Sequence, residues 1–317
     1  MRLTHPADTK KRRHGERRLK AVAVLPSLAT LGNLVCGFGA IYMCALSIAS
    51  GGGDLEKTTL SNSRIEQWFP TYLAIGAYLL LGAMAFDALD GRLARLTRKT
   101  SDFGAQLDSM SDMVSFGVAP ALLMLCIVRH MHWGTSSTPL QTLWWRAEWA
   151  MFAVYACCAA IRLARFNVEN VADESAHRYF RGLPSPGAAA VVVSMVILHE
   201  EFLRKMSPEW KTLMLQGVAP PLTMLIGLLM VSRFRYPHLV NTVLRLRGRR
   251  PLSHVIVMLA VIGVAFLRPH ATFVALALGY ALIGPIGALT ARKHAAAAEP
   301  VPPEVVRPPA KATVGPN

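Results

Sequence analysis

Long stretches without a charged side chain dominate the hydropathy pattern of this chain. Residues 67–86, 212–232 and 269–291 contain no Asp, Glu, Lys or Arg. About 20 apolar residues are enough for a helix to cross a hydrocarbon core of about 30 Å. The pattern predicts an all-α polytopic membrane protein with about eight membrane-spanning helices, at residues 27–48, 69–87, 107–128, 147–165, 185–202, 212–232, 252–268 and 271–291.

Two of these predicted spans carry ionisable residues. The third begins among Asp108 and Asp112, and the fourth is bounded by Glu148 and Arg162. Ionisable groups inside a membrane are costly, so they usually face the interior of a helix bundle or a wet cavity. The third and fourth spans are therefore where we expect a functional site.

The overall composition agrees with a membrane protein. The chain has 317 residues, of which 53% are hydrophobic and only 17% are charged, whereas soluble domains have roughly 25% charged residues. A soluble enzyme and a disordered scaffold are both excluded on this basis.

Basic residues cluster where the apolar runs stop, and the formal net charge is +15. With eight spans, every strongly basic segment falls on one side, which by the positive-inside rule is the cytoplasm. We therefore predict a multi-pass protein of the inner (cell) membrane, with both termini and the active site facing the cytoplasm. The bilayer accounts for this charge, and no nucleic-acid partner is expected.

Acidic residues recur at helical spacing on two neighbouring helices. Asp87, Asp90 and Gly91 share one face of the second predicted helix, and Asp108 and Asp112 are four residues apart on the third. Two helices joined by a short loop can thus present four carboxylates to each other at one end of the membrane.

Four such carboxylates repel one another strongly, and hard divalent cations such as Mg²⁺, Mn²⁺ or Ca²⁺ would relieve that repulsion. A pair of metals could clamp phosphate oxygens for phosphoryl chemistry. Small residues at Gly91, Ala94 and Gly104 leave room for a phosphate, and Arg95 and Ser101 could donate to it. The alternative is that the acids are helix-end charges paired with Arg92, Arg95, Arg98 and Lys99.

The complete pattern D-x2-D-G-x2-A-R-x8-G-x3-D-x3-D, from Asp87 to Asp112, resembles the signature of the CDP-alcohol phosphatidyltransferases. The resemblance implies two divalent ions, Mg²⁺ or Mn²⁺, held by Asp87, Asp90, Asp108 and Asp112, with Asp112 also acting as general base. It also implies a CDP-diacylglycerol site formed by Pro26, Thr30, Asn33, Asp90, Gly91, Ala94, Arg95, Ser101 and Gly104.

Flanking segments are similar to the bacterial integral-membrane phosphatidylserine synthases within that family. The similar segments are 25–38, 111–120, 162–167, 182–186 and 232–237. Residue 27 departs from the pattern, because it is Ser where many relatives have Asn. The resemblance implies a six-helix catalytic core followed by two C-terminal helices, and it implies a homodimer.

Composition and the resemblance together predict how the chain is divided into domains. A basic cytoplasmic arm occupies residues 1–22, and the catalytic membrane domain occupies 23–240. Two additional transmembrane helices lie in 241–293, and a Pro/Ala-rich tail expected to be disordered occupies 294–317.

A candidate acceptor site lies at the inner end of the fourth predicted span. Arg162 and Arg165 are three residues apart and can converge on a carboxylate such as that of L-serine, and Asn167 could orient its amino or hydroxyl group. The alternative is that both arginines only anchor the helix end. The segment 182–186, Gly-Leu-Pro-Ser-Pro, predicts a rigid turn leading into the fifth span.

The predicted activity is the transfer of a phosphatidyl group from CDP-diacylglycerol to the hydroxyl of L-serine, with release of CMP. Two alternatives stay open. One is a member of the same family with a glycerol phosphate or inositol phosphate acceptor. The other is a cation transporter, since buried acids also line ion paths.

Overall fold

The computed structural model describes residues 6–51, 71–97, 102–132, 138–172, 179–237 and 268–297. Nine α-helices are found in this part of the chain. They are α1 (Pro6–Gly51), α2 (Tyr72–Thr97), α3 (Asp102–Asp112), α4 (Ala119–His132), α5 (Pro139–Ala172), α6 (Ser185–Glu201), α7 (Pro208–Thr212), α8 (Ala219–Val231) and α9 (Pro269–Ala297).

Two π-helical segments and a 3-10 turn complete the helical structure. The segment Met113–Val118 joins α3 to α4, and Leu213–Val218 joins α7 to α8, so each pair forms one continuous rod. The 3-10 turn Leu203–Lys205 follows α6. The all-α class is confirmed, apart from two three-residue strands, β1 (Tyr179–Arg181) and β2 (Arg235–Pro237).

Six helical segments of the described chain are long and apolar enough to cross a membrane. They agree with six predicted spans and are Ser27–Ala49, Tyr72–Leu93, Phe103–His130, Pro139–Val168, Pro208–Val231 and His270–Thr290. The predicted span 185–202 corresponds to α6, a shorter apolar helix. The predicted span 252–268 lies outside the described residues, except for Arg268.

Helices begin and end beyond several predicted boundaries. The first begins at Pro6, well before the apolar run, because hydropathy reports membrane partition and not backbone conformation. The second continues to Thr97 and so carries Asp87 and Asp90 within one helix. The last ends at Ala297, a few residues into the segment for which we predicted disorder.

The core lies where α4 and α6 cross the middle of the bundle. Side chains such as Leu123, Ile127, Val192 and Val196 are fully buried there. On α1 and α9, in contrast, large apolar side chains are exposed, among them Leu28, Val35, Phe38, Leu282 and Leu289. An apolar outer surface is what a lipid-facing helix requires.

Helix packing brings distant parts of the chain together at one end of the bundle. The first helix packs along α2 and also contacts α3, and α9 packs on α6. Strands β1 and β2 pair antiparallel, with Phe180 opposite Tyr236. The end of the bundle that contains Asp87, Asp112 and the two strands is called the site end below.

A positive-φ glycine connects the strands to α6. Gly182 has φ 82°, its amide donates to the carbonyl of Phe234 at 2.8 Å, and the next amide, of Leu183, donates to Leu229 at 3.1 Å. The predicted rigid turn at 182–186 is therefore held against the segment 229–237. Two motifs that the sequence presents separately form one structure.

Candidate metal and acceptor site

Three carboxylates come together at the site end, as the spacing predicts. One oxygen each of Asp87 on α2 and of Asp108 and Asp112 on α3 lies within 4.8 Å of the others. Asp112 is buried, and the other two are half-buried. Like charges this close in a partly desolvated site need compensation by cations.

The fourth predicted ligand, Asp90, lies outside this group of three. Its carboxylate is buried and accepts a hydrogen bond from the hydroxyl of Thr30 on α1. It is nevertheless close enough to Asp87 and Asp108 to interact with both electrostatically. The structure therefore separates a cluster of three acids from a fourth acid held by the first helix.

The first helix supports the acids through two residues predicted to contact the CDP-lipid. Asn33 donates from Nδ2 to Oδ1 of Asp112 at 2.9 Å. The carbonyl of Thr30 accepts from Ser111, and that of Asn33 accepts from Ser115, both at 3.0 Å. The structure thus shows these two residues bonded to carboxylates and to the helix that carries Asp112.

A π-helical segment follows Asp112 directly. Inserting one residue in the helical ladder re-aims side chains, and such segments are frequent at functional sites. Here Tyr155 of α5 donates from its hydroxyl to the carbonyl of Phe116, at 2.9 Å, inside the segment. The periodic sequence pattern of the third span does not reveal this insertion.

One guanidinium is buried beside the acids. Arg162 on α5 is only 9% exposed and lies within electrostatic range of Asp87 and Asp112. Its Nη1 donates to the hydroxyl of Ser185, the first residue of α6, at 2.8 Å. The positive charge of Arg162 cannot by itself compensate four acids, and the carboxylate oxygens fit hard divalent cations.

The remaining predicted acceptor residues lie further out. Arg165 is half-buried. Asn167 accepts a hydrogen bond from the Ser109 hydroxyl at 3.0 Å, which ties the end of α5 to α3. The structure therefore places Arg162, but not the whole predicted trio, deep in the site.

The other predicted lipid contacts are only partly described. Gly91 is exposed and Gly104 is half-buried, and among the described residues no atom lies within 4 Å of a Cβ added at Gly91. The open space at Gly91 is compatible with a nearby ligand. Ser101, and the side chains of Pro26, Ala94 and Arg95, lie outside the part of the chain that the structure describes.

Two residues near the site were not predicted. Ser185 lies in the turn motif, which we interpreted as structural. Tyr280 of α9 lies within electrostatic range of Arg162. It is a lone tyrosine in an apolar run, so no sequence signal points to it.

Comparison with known proteins agrees with the site geometry. A family model described as CDP-alcohol phosphatidyltransferase matches residues 23–229. A Helicobacter pylori protein named CDP-diacylglycerol–serine O-phosphatidyltransferase is 33% identical over 196 residues, which cover 62% of this chain and 71% of the relative.

Relatives with the same name occur outside that genus. One from Methanocaldococcus jannaschii is 34% identical over 165 residues, covering 52% of this chain and 65% of the relative. One from Saccharomyces cerevisiae is 37% identical over 131 residues, covering 40% and 42% of the two chains.

Proposed function

The chain belongs to the CDP-alcohol phosphatidyltransferase family, and from this premise we propose that it transfers the phosphatidyl group of CDP-diacylglycerol to the hydroxyl of L-serine. The observation that carries the proposal is the juxtaposition of the Asp87, Asp108 and Asp112 cluster with the buried guanidinium of Arg162. The cluster suits a diphosphate bound through metals, and the guanidinium suits an acceptor that has a carboxylate.

In the proposed reaction the serine oxygen forms a bond to the phosphorus that carries diacylglycerol. The bond from this phosphorus to the oxygen bridging the two phosphates breaks, and CMP leaves with that oxygen. Asp112 accepts the proton of the serine hydroxyl. Asn33 holds one oxygen of the Asp112 carboxylate, which fixes the orientation of the base.

The metal requirement is part of the proposal. Asp87, Asp108 and Asp112 would hold one divalent ion, and Asp90 would complete a second position next to them. Bound Mg²⁺ or Mn²⁺ would polarise the attacked phosphoryl group and offset the charge of the departing phosphate. The protein contributes a fixed set of oxygen ligands that the first helix orients through Thr30 and Asn33.

The acceptor end of the site is proposed to lie around Arg162. A guanidinium offers parallel N–H donors that match a carboxylate. Arg165 and Asn167 are proposed to form its outer edge. A phosphorylated acceptor would need a denser basic cluster than Arg162 and Arg165 provide, which favours L-serine over glycerol phosphate or inositol phosphate.

The membrane context follows from the two substrates. CDP-diacylglycerol is a lipid and L-serine is water-soluble, so the site should lie at a membrane surface. We propose that this is the cytoplasmic surface of the cell membrane, with both termini on that side, because the basic loops lie there under the positive-inside rule. Homodimer formation stays a prediction from family resemblance.

The test is CMP release by detergent-purified protein given CDP-diacylglycerol and Mn²⁺ or Mg²⁺, with and without L-serine. Serine-dependent release that EDTA abolishes is the expected result. Release only with glycerol phosphate or inositol phosphate would overturn the acceptor assignment and leave the metal site standing. No release with any alcohol would overturn the proposal of a transferase and favour cation transport, which a vesicle flux assay would detect.

A further inference from the structure

Arg162 has a hydrogen-bonding group without a partner in the described protein. Its Nη1 is bonded to Ser185, but its Nε is buried and has no acceptor among the described residues. Native proteins rarely leave a buried N–H donor unpaired. An acceptor oxygen of a bound ligand would complete the hydrogen bonding of this group.

The last helix reaches the same place. Tyr280 of α9 lies within electrostatic range of Arg162. It also lies against the first turn of α6, where a Cβ on Gly187 would be 2.9 Å from Cε1 of the tyrosine ring. Arg162 contacts Ser185 and Tyr280 lies against Gly187, two residues further on. The two contacts are therefore made to the same helical turn.

A second tyrosine holds Tyr280 in position. The rings of Tyr236 on β2 and Tyr280 have centroids 5.8 Å apart and are tilted by 56°. The hydroxyl of Tyr236 donates to the carbonyl of Ala281, the next residue of α9, at 3.0 Å. Burial, with a smaller effect of Tyr280, raises the pKa of Tyr236 to about 12, so its hydroxyl keeps the proton it donates.

The N-terminal end of α9 is fixed independently. Tyr78 on α2 and Nε2 of His270 on α9 are hydrogen-bonded at 2.7 Å. Tyr280 follows His270 by ten residues, which is about 15 Å along a helix, and Asp87 follows Tyr78 by nine. Tyr280 and the acids therefore lie at a similar depth in the bundle.

We propose that Tyr280 is a specificity-determining residue of the acceptor subsite, where its hydroxyl donates a hydrogen bond to the serine carboxylate beside the Nε–H of Arg162. The inference rests on the proposed function. It also gives a role to α9, which lies beyond residues 23–229 that the family model matches. The last helix would then complete the acceptor subsite.

The test uses the full-length protein with Tyr280→Phe, which removes only the hydroxyl. The KM for L-serine is measured at saturating CDP-diacylglycerol, and the KM for CDP-diacylglycerol at saturating L-serine. A hydrogen bond to a charged group accounts for a rise of roughly tenfold or more in the KM for L-serine. The KM for CDP-diacylglycerol should stay unchanged. A general loosening of the fold would instead change the KM values of both substrates.

Tyr78→Phe is the matched control. It also removes a tyrosine hydroxyl that contacts α9, but at the N-terminal end of the helix, ten residues before Tyr280. Both KM values should stay at the wild-type level in this variant. An equal rise in the KM for L-serine in Tyr78→Phe would overturn the proposal, because the effect would then reflect helix docking.

A second variant guards against misfolding of the first. Tyr236→Phe removes the hydrogen bond that fixes α9 beside Tyr280, and we expect a smaller rise in the KM for L-serine. If the wild type needs L-serine for CMP release but both variants keep the wild-type KM for L-serine, the inference is overturned and the proposed function stands. Wild-type release that does not depend on L-serine would overturn both.

Discussion

Asn33 on α1 donates from Nδ2 to Oδ1 of Asp112 on α3, at 2.9 Å, where both side chains are buried. The amide nitrogen can only donate, so this hydrogen bond fixes one carboxylate oxygen and thereby orients the other. The first helix thus orients the proposed general base, although it contributes no acid to the cluster.

Asn33→Ala should lower kcat for serine-dependent CMP release by about 10- to 100-fold, the usual cost of losing a group that orients a metal ligand. The KM for L-serine should change little, because Arg162 is untouched. The measurement is steady-state CMP release in detergent at saturating Mn²⁺.

Ser115→Ala provides the matched control for Asn33→Ala. It also removes a buried hydrogen bond between α1 and the rod formed by α3 and α4, but this bond ends at the Asn33 carbonyl. The free energy of unfolding should fall by about 1 kcal/mol without loss of kcat. A loss of kcat as large as that of Asn33→Ala would mean that helix packing, and not the orientation of Asp112, is responsible.

Metal dependence should differ between Asp108 and Asp112, the two members of the carboxylate cluster on α3. Asp108→Asn removes a proposed ligand but not the base, so activity should return at a Mn²⁺ concentration raised by about tenfold or more. Asp112→Asn removes both functions and should stay inactive at any Mn²⁺ concentration. Titrations of CMP release against Mn²⁺ test this, and an unchanged Mn²⁺ requirement in Asp108→Asn would contradict the assignment.

Local patterns in the sequence predict much of this architecture. Charge-free runs locate the spans, because membrane insertion depends on summed hydropathy. The four-residue spacing of Asp108 and Asp112 places both on one helical face, and the structure brings them next to Asp87. Each of these features depends on residues close together in the chain.

Contacts between distant segments could not be predicted in the same way. Arg162 donates to Ser185, which is 23 residues later in the chain, and local sequence patterns do not reveal this contact. Asp90 turns to Thr30, since a hydroxyl on the neighbouring helix lies within its reach. Tyr280 carries no recognisable motif, and only the packing of α9 on α6 places it near Arg162.

Arg162→Lys keeps the positive charge but removes the planar set of donors, and a lysine cannot bond Ser185 and a carboxylate with the same geometry. The KM for L-serine should rise by about tenfold or more. Arg146→Lys, at the other end of the same helix and exposed, should have wild-type kinetics. Comparable KM values for the two variants would place the acceptor carboxylate elsewhere.

Gly182→Ala should destabilise the site end of the bundle. The residue has φ 82°, and an added Cβ would collide with the carbonyl oxygen of Met230. A left-handed alanine alone costs about 1–2 kcal/mol, and the collision adds to this. Because the turn positions Ser185 against Arg162, the melting temperature should fall by about 4 °C or more, and the KM for L-serine should rise.

Gly287→Ala on α9 separates backbone strain from the general effect of adding a methyl group. No atom of the residues that the structure describes lies within 4 Å of a Cβ added here, and alanine is favoured over glycine inside a helix by about 1 kcal/mol. Its melting temperature should match or exceed that of the wild type, with an unchanged KM for L-serine. Equal losses of stability in both variants would contradict a special role for the turn at Gly182. Only Gly182 has a positive φ among the described glycines, so backbone strain is expected in Gly182→Ala and not in Gly287→Ala.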